Sequence, residues 1–280
     1  MKIKKFVCNA LQENAYVVSS GDSCVIIDPG FATAETGLSA APASFPCSPK
    51  KGSPGEAPVS TELQALYQYL DSEGLTPEAI LLTHSHSDHT LGVAPLVEKF
   101  GIPVYSASGS FQTPTDAFSC LRAAEAGVQT PEKTISCLQP AGEGVQTPEK
   151  AIACLRPTGE GVQTPEKAIS CLQVEDEGYV AGFKVIATPG HTPDSVCYYN
   201  EAEHVLFTGD TLFAGTIGRT DLPGGDYDRE IVSIMEKLIF LPGETDICPG
   251  HGPASTIARE RMGNPFLEPF NEREELFTEG

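Results

Sequence analysis

Short apolar runs alternate with amphipathic segments along most of this chain. Runs rich in Val, Ile and Tyr predict nine strands, at 3–7, 15–19, 24–27, 80–83, 104–106, 184–188, 195–199, 205–208 and 245–248. Apolar residues at helical spacing predict helices at 61–72, 91–100 and 227–241. Strands and helices mixed in this number indicate an α/β layered domain.

Two segments interrupt this alternation. Residues 31–60 are rich in Ala, Ser, Pro and Gly, which predicts a flexible, low-complexity loop. Residues 110–177 form a tandem repeat of 17 residues, and three of its four copies contain Thr-Pro-Glu-Lys, a pattern that favours the start of a helix of about two turns. We interpret the repeats as a surface insertion, with an interaction arm as the alternative. The remainder predicts one domain over 1–268, followed by a tail at 269–280.

Charge and composition narrow the class of protein. The chain has 280 residues, of which 40% are hydrophobic, and its 18 basic and 38 acidic side chains leave a formal charge of −20. Such a charge repels phosphate backbones and anionic membranes, so neither nucleic acid nor a membrane is expected as a partner. The first residues lack an apolar run of signal-peptide length. The nine cysteines include no Cys-x-x-Cys pair. We therefore expect a cytoplasmic protein.

Histidine is scarce and clustered. Five of the six histidines lie in three short segments, at 83–89, 188–192 and 248–252. The first segment, Thr-His-Ser-His-Ser-Asp-His, brings three imidazoles and a carboxylate within six residues, which is typical of a metal site. The sixth histidine, His204, lies in a predicted turn, and we do not expect it to bind metal.

Four candidate metal ligands each follow the end of an apolar strand. They are His84, His191, Asp210 and His251. Functional residues of α/β folds concentrate at strand ends, where loops from several strands converge. A glycine directly precedes the last three, and glycine lets the backbone turn tightly against a crowded site. The pattern predicts one shared metal centre.

The block His84-x-His86-x-Asp88-His89, followed by His191, Asp210 and His251, resembles the metal motif of the metallo-β-lactamase superfamily. Within it, the stretches at 188–192, 207–213, 218–221 and 249–252 are similar to the glyoxalase II-like (hydroxyacylglutathione hydrolase-like) hydrolases. The similarity covers residues 1–30, 61–109 and 178–268, so both insertions fall outside it. The resemblance implies a four-layer αβ/βα sandwich that carries two divalent metal ions, commonly zinc, with iron or manganese as alternatives.

The resemblance also assigns roles to the seven ligands. One ion would be held by His84, His86 and His191, the other by Asp88, His89 and His251, with Asp210 as the bridge. Asp88 and Asp210 are then the expected catalytic carboxylates. Metal binding lowers the pKa of water from 15.7 towards about 7, which would provide a bridging hydroxide to attack a thioester carbon.

Two further polar residues have alternative interpretations. Asp28, in Ile-Ile-Asp-Pro-Gly, is either a buried carboxylate that orients the histidines of the site or a residue that ends a strand in a turn. Arg219 either orients a carboxylate of the substrate or pairs with Asp221.

Three functions are compatible with these features. The first is a zinc-dependent, glyoxalase II-like thioesterase acting on a small-molecule thioester or ester. The second is an Fe(II) persulfide dioxygenase, which would use His84, His191 and Asp210 as a two-histidine, one-carboxylate triad. The third is a repeat-mediated binding protein with a vestigial site. Full-length glyoxalase II enzymes carry a helical, glutathione-binding domain after the last metal histidine, whereas 29 residues follow His251 here. The resemblance therefore indicates the chemistry better than the substrate, and the oligomeric state stays open.

Overall fold

The computed structural model describes residues 1–32, 61–112 and 168–268. The described residues belong to one unit of the chain, Met1–Ala117 with Glu166–Gly280. Most of the low-complexity segment at 31–60, most of the repeat block at 110–177 and the tail at 269–280 lie outside them. Phe31 and Ala32 are fully buried, and the Phe31 ring packs edge-on against Phe6 at 5.7 Å between ring centres. The packed core thus extends two residues into the predicted loop.

The first sheet has six strands, which lie side by side in chain order. They are β1 (Lys2–Cys8), β2 (Glu13–Ser20), β3 (Ser23–Ile27), β4 (Thr76–Leu81), β5 (Val104–Ser106) and β8 (Leu172–Gln173). The first three strands form an antiparallel meander, whereas β3, β4, β5 and β8 pair in parallel. Parallel pairing requires long crossovers, and those on either side of β4 contain helices.

The second sheet also has six strands. From one edge to the other they are β16 (Ser255–Thr256), β15 (Asp246–Pro249), β12 (Val205–Gly209), β11 (Val196–Asn200), β10 (Phe183–Ala187) and β9 (Tyr179–Val180). Only β12 and β15 pair in parallel among these described strands. Two separate two-stranded sheets are formed, one by β6 (Ser110–Gln112) with β7 (Ala168–Ser170) and one, a hairpin, by β13 (Leu212–Phe213) with β14 (Thr216–Ile217).

The helices include all three predicted ones and several shorter ones. They are α1 (Thr61–Glu73), α2 (Ser87–Thr90), α3 (Val93–Phe100), α4 (Tyr227–Ser233) and α5 (Ile257–Gly263). The helix predicted at 227–241 begins as expected at α4, where the Asp226 side chain accepts a hydrogen bond from the Arg229 backbone nitrogen and caps the helix. It continues as a π-helix over Ile234–Leu238.

Three apolar clusters define the layers of the fold. The first packs Leu63, Leu66 and Leu70 of α1 against the outer face of the first sheet. The second lies between the two sheets and includes Tyr16, Tyr198 and Phe207. The third packs the second sheet against α5 and the π-helix, which contribute Ile234, Leu238 and Ile257. The predicted four-layer αβ/βα sandwich is confirmed.

The helix predicted for the last of the four repeat copies, residues 161–177, is wrong where the structure describes it. Residues 168–173 form β7 and β8 instead. Strand β8 pairs with Tyr105 and Ser106 of β5, and Ile169 and Cys171 pack against the first apolar cluster. Sheet pairing and burial outweigh the local helical preference of these residues. The helices predicted for the other copies lie outside the described residues.

Among the described residues, no helix is long and apolar enough to cross a membrane.

Replacement of Leu206 by alanine should lower the free energy of unfolding by about 2–5 kcal/mol, because Leu206 is fully buried and a cavity would remain. The matched control is Leu172→Ala on the edge strand β8, where the side chain is 52% exposed and the change should stay within about 0.5 kcal/mol. Chemical denaturation monitored by circular dichroism measures both. Equal losses in the two variants would contradict this packing.

Candidate metal centre

Four strand ends converge on one cluster of histidines and carboxylates. The loop after β4 carries His84 and His86, the short helix α2 that follows carries Asp88 and His89, and the loops after β10, β12 and β15 carry His191, Asp210 and His251. Both sheets therefore contribute. All seven residues predicted as ligands meet at this edge of the sandwich.

One group of ligand atoms comes from His84, His86 and His191, which lie close enough together to hold one ion. The ring centre of His84 lies 4.8 Å from that of His86 and 5.0 Å from that of His191. His86 Nδ1 and His191 Nε2 are 2.9 Å apart. His84 and His191 are buried, which fixes their rings by packing.

A second group comes from Asp88, His89 and His251. Asp88 Oδ2 lies 3.2 Å from His251 Nε2 and 3.7 Å from His89 Nε2. His89 is fully buried, whereas the His251 side chain is 28% exposed. This second group therefore opens towards solvent.

Asp210 lies between the two groups. Its Oδ1 is 3.3 Å from His89 Nε2, and its Oδ2 is 3.6 Å from both His191 Nε2 and His251 Nε2. One carboxylate thus reaches both groups, as expected for a bridge. A Cβ atom on Gly250 would lie 2.4 Å from Asp210 Oδ1 and 2.6 Å from His89 Cε1, so only glycine fits there.

The donor atoms fit a pair of divalent ions. His84 Nε2, His89 Nε2 and Asp210 Oδ1 are buried and have no hydrogen-bond partner among the described residues. Buried polar atoms without a partner are costly, and a cation would satisfy all three. Imidazole nitrogens and carboxylate oxygens are ligands that zinc and iron accept.

Comparison with known proteins identifies the family. The sequence profile of the metallo-beta-lactamase superfamily matches residues 8–251. The chain belongs to the metallo-beta-lactamase superfamily. The probable metallo-hydrolase YqgX of Bacillus subtilis (strain 168) is 32% identical over 275 residues, which is 97% of this chain and 100% of YqgX. Membership supports a metal-dependent hydrolase, and the fold implies a dinuclear divalent-metal site.

A narrower similarity joins this superfamily member to a named thioesterase. The hydroxyacylglutathione hydrolase GloC of Haemophilus influenzae is 47% identical over 85 residues, which is 30% of this chain and 40% of GloC. Among solved structures, the BLEG-1 B3 metallo-beta-lactamase has a TM-score of 0.62 at 30% identity, covering 95% of this chain and 99% of its own. TTHA1623 in a di-iron-bound form has a TM-score of 0.60 at 30% identity, covering 94% and 100%.

Charges within the centre separate the histidines into two kinds. Burial lowers the pKa of His84 and of His86 below the usual range, and the charges of neighbouring histidines add to it, so the opposing effect of Asp210 and Asp88 is outweighed. His89 is also buried, but the charges of Asp210 and Asp88 outweigh that burial and raise its pKa well above 6.5. The same pairing lowers the pKa of Asp210. Without metal, the surroundings of His89 therefore favour a protonated imidazole, whereas those of His84 and His86 favour a neutral one.

Asp28 is a buried carboxylate that orients a histidine of the centre, as one of its two interpretations predicted. Its carboxylate accepts hydrogen bonds from the Thr83 backbone nitrogen at 2.8 Å and the Thr83 hydroxyl at 2.6 Å, and lies 3.1 Å from His89 Nδ1. With a φ of 46° it also ends a strand in a left-handed turn, so both descriptions apply. Hydrogen bonding at Nδ1 directs His89 Nε2 towards Asp210.

Arg219 and His204 lie where the simpler interpretations placed them. The Arg219 guanidinium donates two hydrogen bonds of 2.8 Å to the Asp221 carboxylate, and both side chains are exposed. The paired arginine is not a free anchor for a substrate carboxylate. His204 lies in a turn, with its Nδ1 3.4 Å from the Tyr199 hydroxyl, away from the seven-residue cluster.

Two buried glutamates near the centre escaped the sequence analysis. Glu13 is fully buried with Oε1 3.9 Å from His89 Nδ1, and burial raises its pKa well above the usual range. Glu230 is fully buried beside His191. The sequence contains a signal for Glu230. Glu230, Ile234 and Leu238 follow one another at intervals of four residues, so Glu230 lies on the same helix face as two apolar residues. A charged side chain on an apolar helix stripe indicates a buried partner.

Gly250→Ala should displace Asp210 and His89, because the added methyl group overlaps both side chains. We expect a loss of about 1–3 kcal/mol in unfolding free energy and weaker metal binding. The matched control is Gly263→Ala at the end of α5, where a methyl group meets nothing within 4 Å and should add up to about 1 kcal/mol. Thermal denaturation with and without added Zn²⁺ measures both effects. If Zn²⁺ stabilised Gly250→Ala as much as the wild-type protein, the close approach of Gly250 to Asp210 and His89 would be contradicted.

Metal binding near neutral pH should release a proton from His89, because its raised pKa favours the protonated ring in the metal-free protein. The sign follows from the direction of the shift. Below the raised pKa the proton competes with the ion, so affinity increases as pH rises through it. Calorimetric titration with Zn²⁺ in buffers of different ionisation enthalpy measures the number of protons. Heats that do not depend on the buffer would contradict the shift.

Proposed function

We propose that this protein is a metal-dependent hydrolase that cleaves a thioester of the hydroxyacylglutathione type, or a related acyl substrate. The observation that carries the proposal is the position of Asp210, whose two oxygens reach both groups of histidines. Such a carboxylate joins two cation sites into one reaction centre. We further propose zinc as the metal.

The ligand roles follow from the two groups. His84, His86 and His191 would hold one ion, Asp88, His89 and His251 the other, and Asp210 would bridge them. Divalent ions bound there would supply a water nucleophile of lowered pKa and polarise the acyl carbonyl. Asp88 and Asp210 are the proposed catalytic carboxylates, because their Oδ2 atoms lie 3.2 Å and 3.6 Å from Nε2 of His251, on the more exposed side of the centre, where they would hold the ions.

The reaction needs little more from the chain. Attack of water oxygen on the acyl carbon forms a C–O bond, and collapse of the adduct breaks the C–S bond. The sulfur leaves as a thiolate, which needs no strong general acid, and the two protons of the attacking water pass to solvent as the carboxylate product forms. Buried Asp28 and Thr83 keep His89 and His84 oriented throughout, since the Thr83 hydroxyl lies 3.1 Å from His84 Nδ1.

Support for a thioester comes from the GloC segment, which is 47% identical over 85 residues. The acidic surface favours a small-molecule substrate over nucleic acid, with a net charge of −20. The iron alternative rests on a different observation, because TTHA1623 at 30% identity was solved in a di-iron-bound form. That form supports iron at a two-metal centre, and persulfide oxidation at a single Fe(II) held by the two-histidine, one-carboxylate set His84, His191 and Asp210 is the second candidate.

Metal analysis of the purified protein should find about two ions per chain, and the protein should release free thiol from a lactoyl thioester. Asp210→Ala should lower kcat/KM at least about 100-fold, since residues that merely support a metal ligand already account for about 10- to 100-fold. The control is His204→Ala, which removes a histidine outside the centre and should leave both readouts unchanged.

One iron per chain with oxygen uptake on glutathione persulfide, and no thiol release, would replace the thioesterase by the dioxygenase. A β-lactam assayed in parallel tests the chemistry of the BLEG-1 relative. Turnover of the β-lactam alone would overturn the thioester proposal while leaving a metal-dependent hydrolase.

A further inference from the structure

Glu230 is a buried carboxylate that the proposed reaction does not use. It lies on α4, is fully buried, and its Oε2 accepts a hydrogen bond of 2.7 Å from the backbone nitrogen of His191. Among the described residues this is the hydrogen bond made by that nitrogen. A side chain of helix α4 therefore binds the backbone of a candidate metal ligand, at the nitrogen of His191.

Two glycines let the carboxylate approach this closely. A Cβ atom on Gly190 would lie 2.2 Å from Glu230 Oε2, and one on Gly218 would lie 3.1 Å from Glu230 Oε1. Glu230 thus lies between the loop that carries His191 and the segment that precedes Arg219. Any side chain at Gly190 would push helix and loop apart.

The Arg219 segment fixes the His191 ring. The Arg219 carbonyl oxygen lies 2.7 Å from His191 Nδ1, and because a carbonyl can only accept, Nδ1 carries the proton. The lone pair of Nε2 then points towards His86 Nδ1, at 2.9 Å. The backbone and the ring of His191 are therefore held by two segments that meet at Glu230.

Docking of the helix alone does not require a carboxylate here. The Asp226 backbone nitrogen donates to the Gly190 carbonyl at 2.8 Å, and the Ser233 hydroxyl donates to the Pro189 carbonyl at 2.7 Å. An apolar side chain would fill the position between them at less cost, because Glu230 Oε1 has no hydrogen-bond partner among the described residues.

We propose that Glu230 is a positioning residue for the metal group formed by His84, His86 and His191, acting through the backbone of His191. The inference rests on the proposed two-metal centre. It assigns Glu230 to one of the two groups and not to the other, because, among the candidate ligands that the structure describes, the hydrogen bond of the Glu230 side chain is to His191. Loss of Glu230 should therefore weaken one ion selectively.

The test measures both dissociation constants by chelator competition, together with the visible spectrum of the Co²⁺-substituted protein. Glu230→Leu should weaken one ion about 10- to 100-fold, the usual range for a residue that supports a metal ligand, and leave the other within about threefold. Glu230→Gln should stay close to wild type, because its amide oxygen still accepts the hydrogen bond. Glu230→Asp keeps the charge but shortens the side chain, and should resemble Glu230→Leu.

The matched control is Glu260→Leu. Glu260 is also a buried carboxylate, bonded to the Gly215 backbone nitrogen and the Asn264 side chain and not to a candidate ligand. The Glu260→Leu substitution should lower the melting temperature without changing the dissociation constant of either metal ion. If Glu230→Leu does not fold, the contrast between the Asp and Gln variants decides the question.

Two unchanged constants in Glu230→Leu and Glu230→Asp, or a parallel weakening of both ions that Glu260→Leu reproduces, would overturn the positioning role alone. A wild-type protein that binds fewer than two Zn²⁺ or Co²⁺ ions would instead overturn the two-metal centre, and this inference with it.

Discussion

The rest of this structure depends on the contacts between the Asp210 carboxylate and the histidines around it. The carboxylate lies within 3.6 Å of histidine nitrogens from three different segments, two on the second sheet and one on the first. Joining them requires the two sheets to meet at a fixed distance and register. The apolar layer between the sheets, with Tyr198 and Phe207 fully buried, sets that distance.

Buried carboxylates surround the cluster, and different ones lie beside His89 and beside His191. Asp28 and Glu13 lie on the Nδ1 side of His89, whereas Glu230 holds His191 through its backbone. Carboxylates buried without full pairing are unfavourable unless positive charge is nearby. Two divalent ions would provide that charge, which explains why an acidic protein concentrates further acids around its centre.

The predicted strands and helices recur in the structure because their apolar periodicity matches the layer each one packs against. The helix predicted in the last repeat copy, residues 161–177, is wrong for a related reason, since residues 168–173 gain more from sheet pairing with β6 and β5 than from local helical preference. The hairpin of β13 and β14 escaped prediction because two-residue strands carry too little pattern.

The sequence alone determined the family and indicated seven candidate ligands, because seven ligand-type residues occur in a characteristic order and spacing between His84 and His251. It could not separate the two interpretations of Asp28 or find the role of Glu230. Those depend on which backbone atoms meet across 55 residues for Thr83 and Asp28, and 39 residues for His191 and Glu230. Only tertiary packing decides such contacts, because a hydrogen bond between distant segments leaves no periodic pattern in the chain.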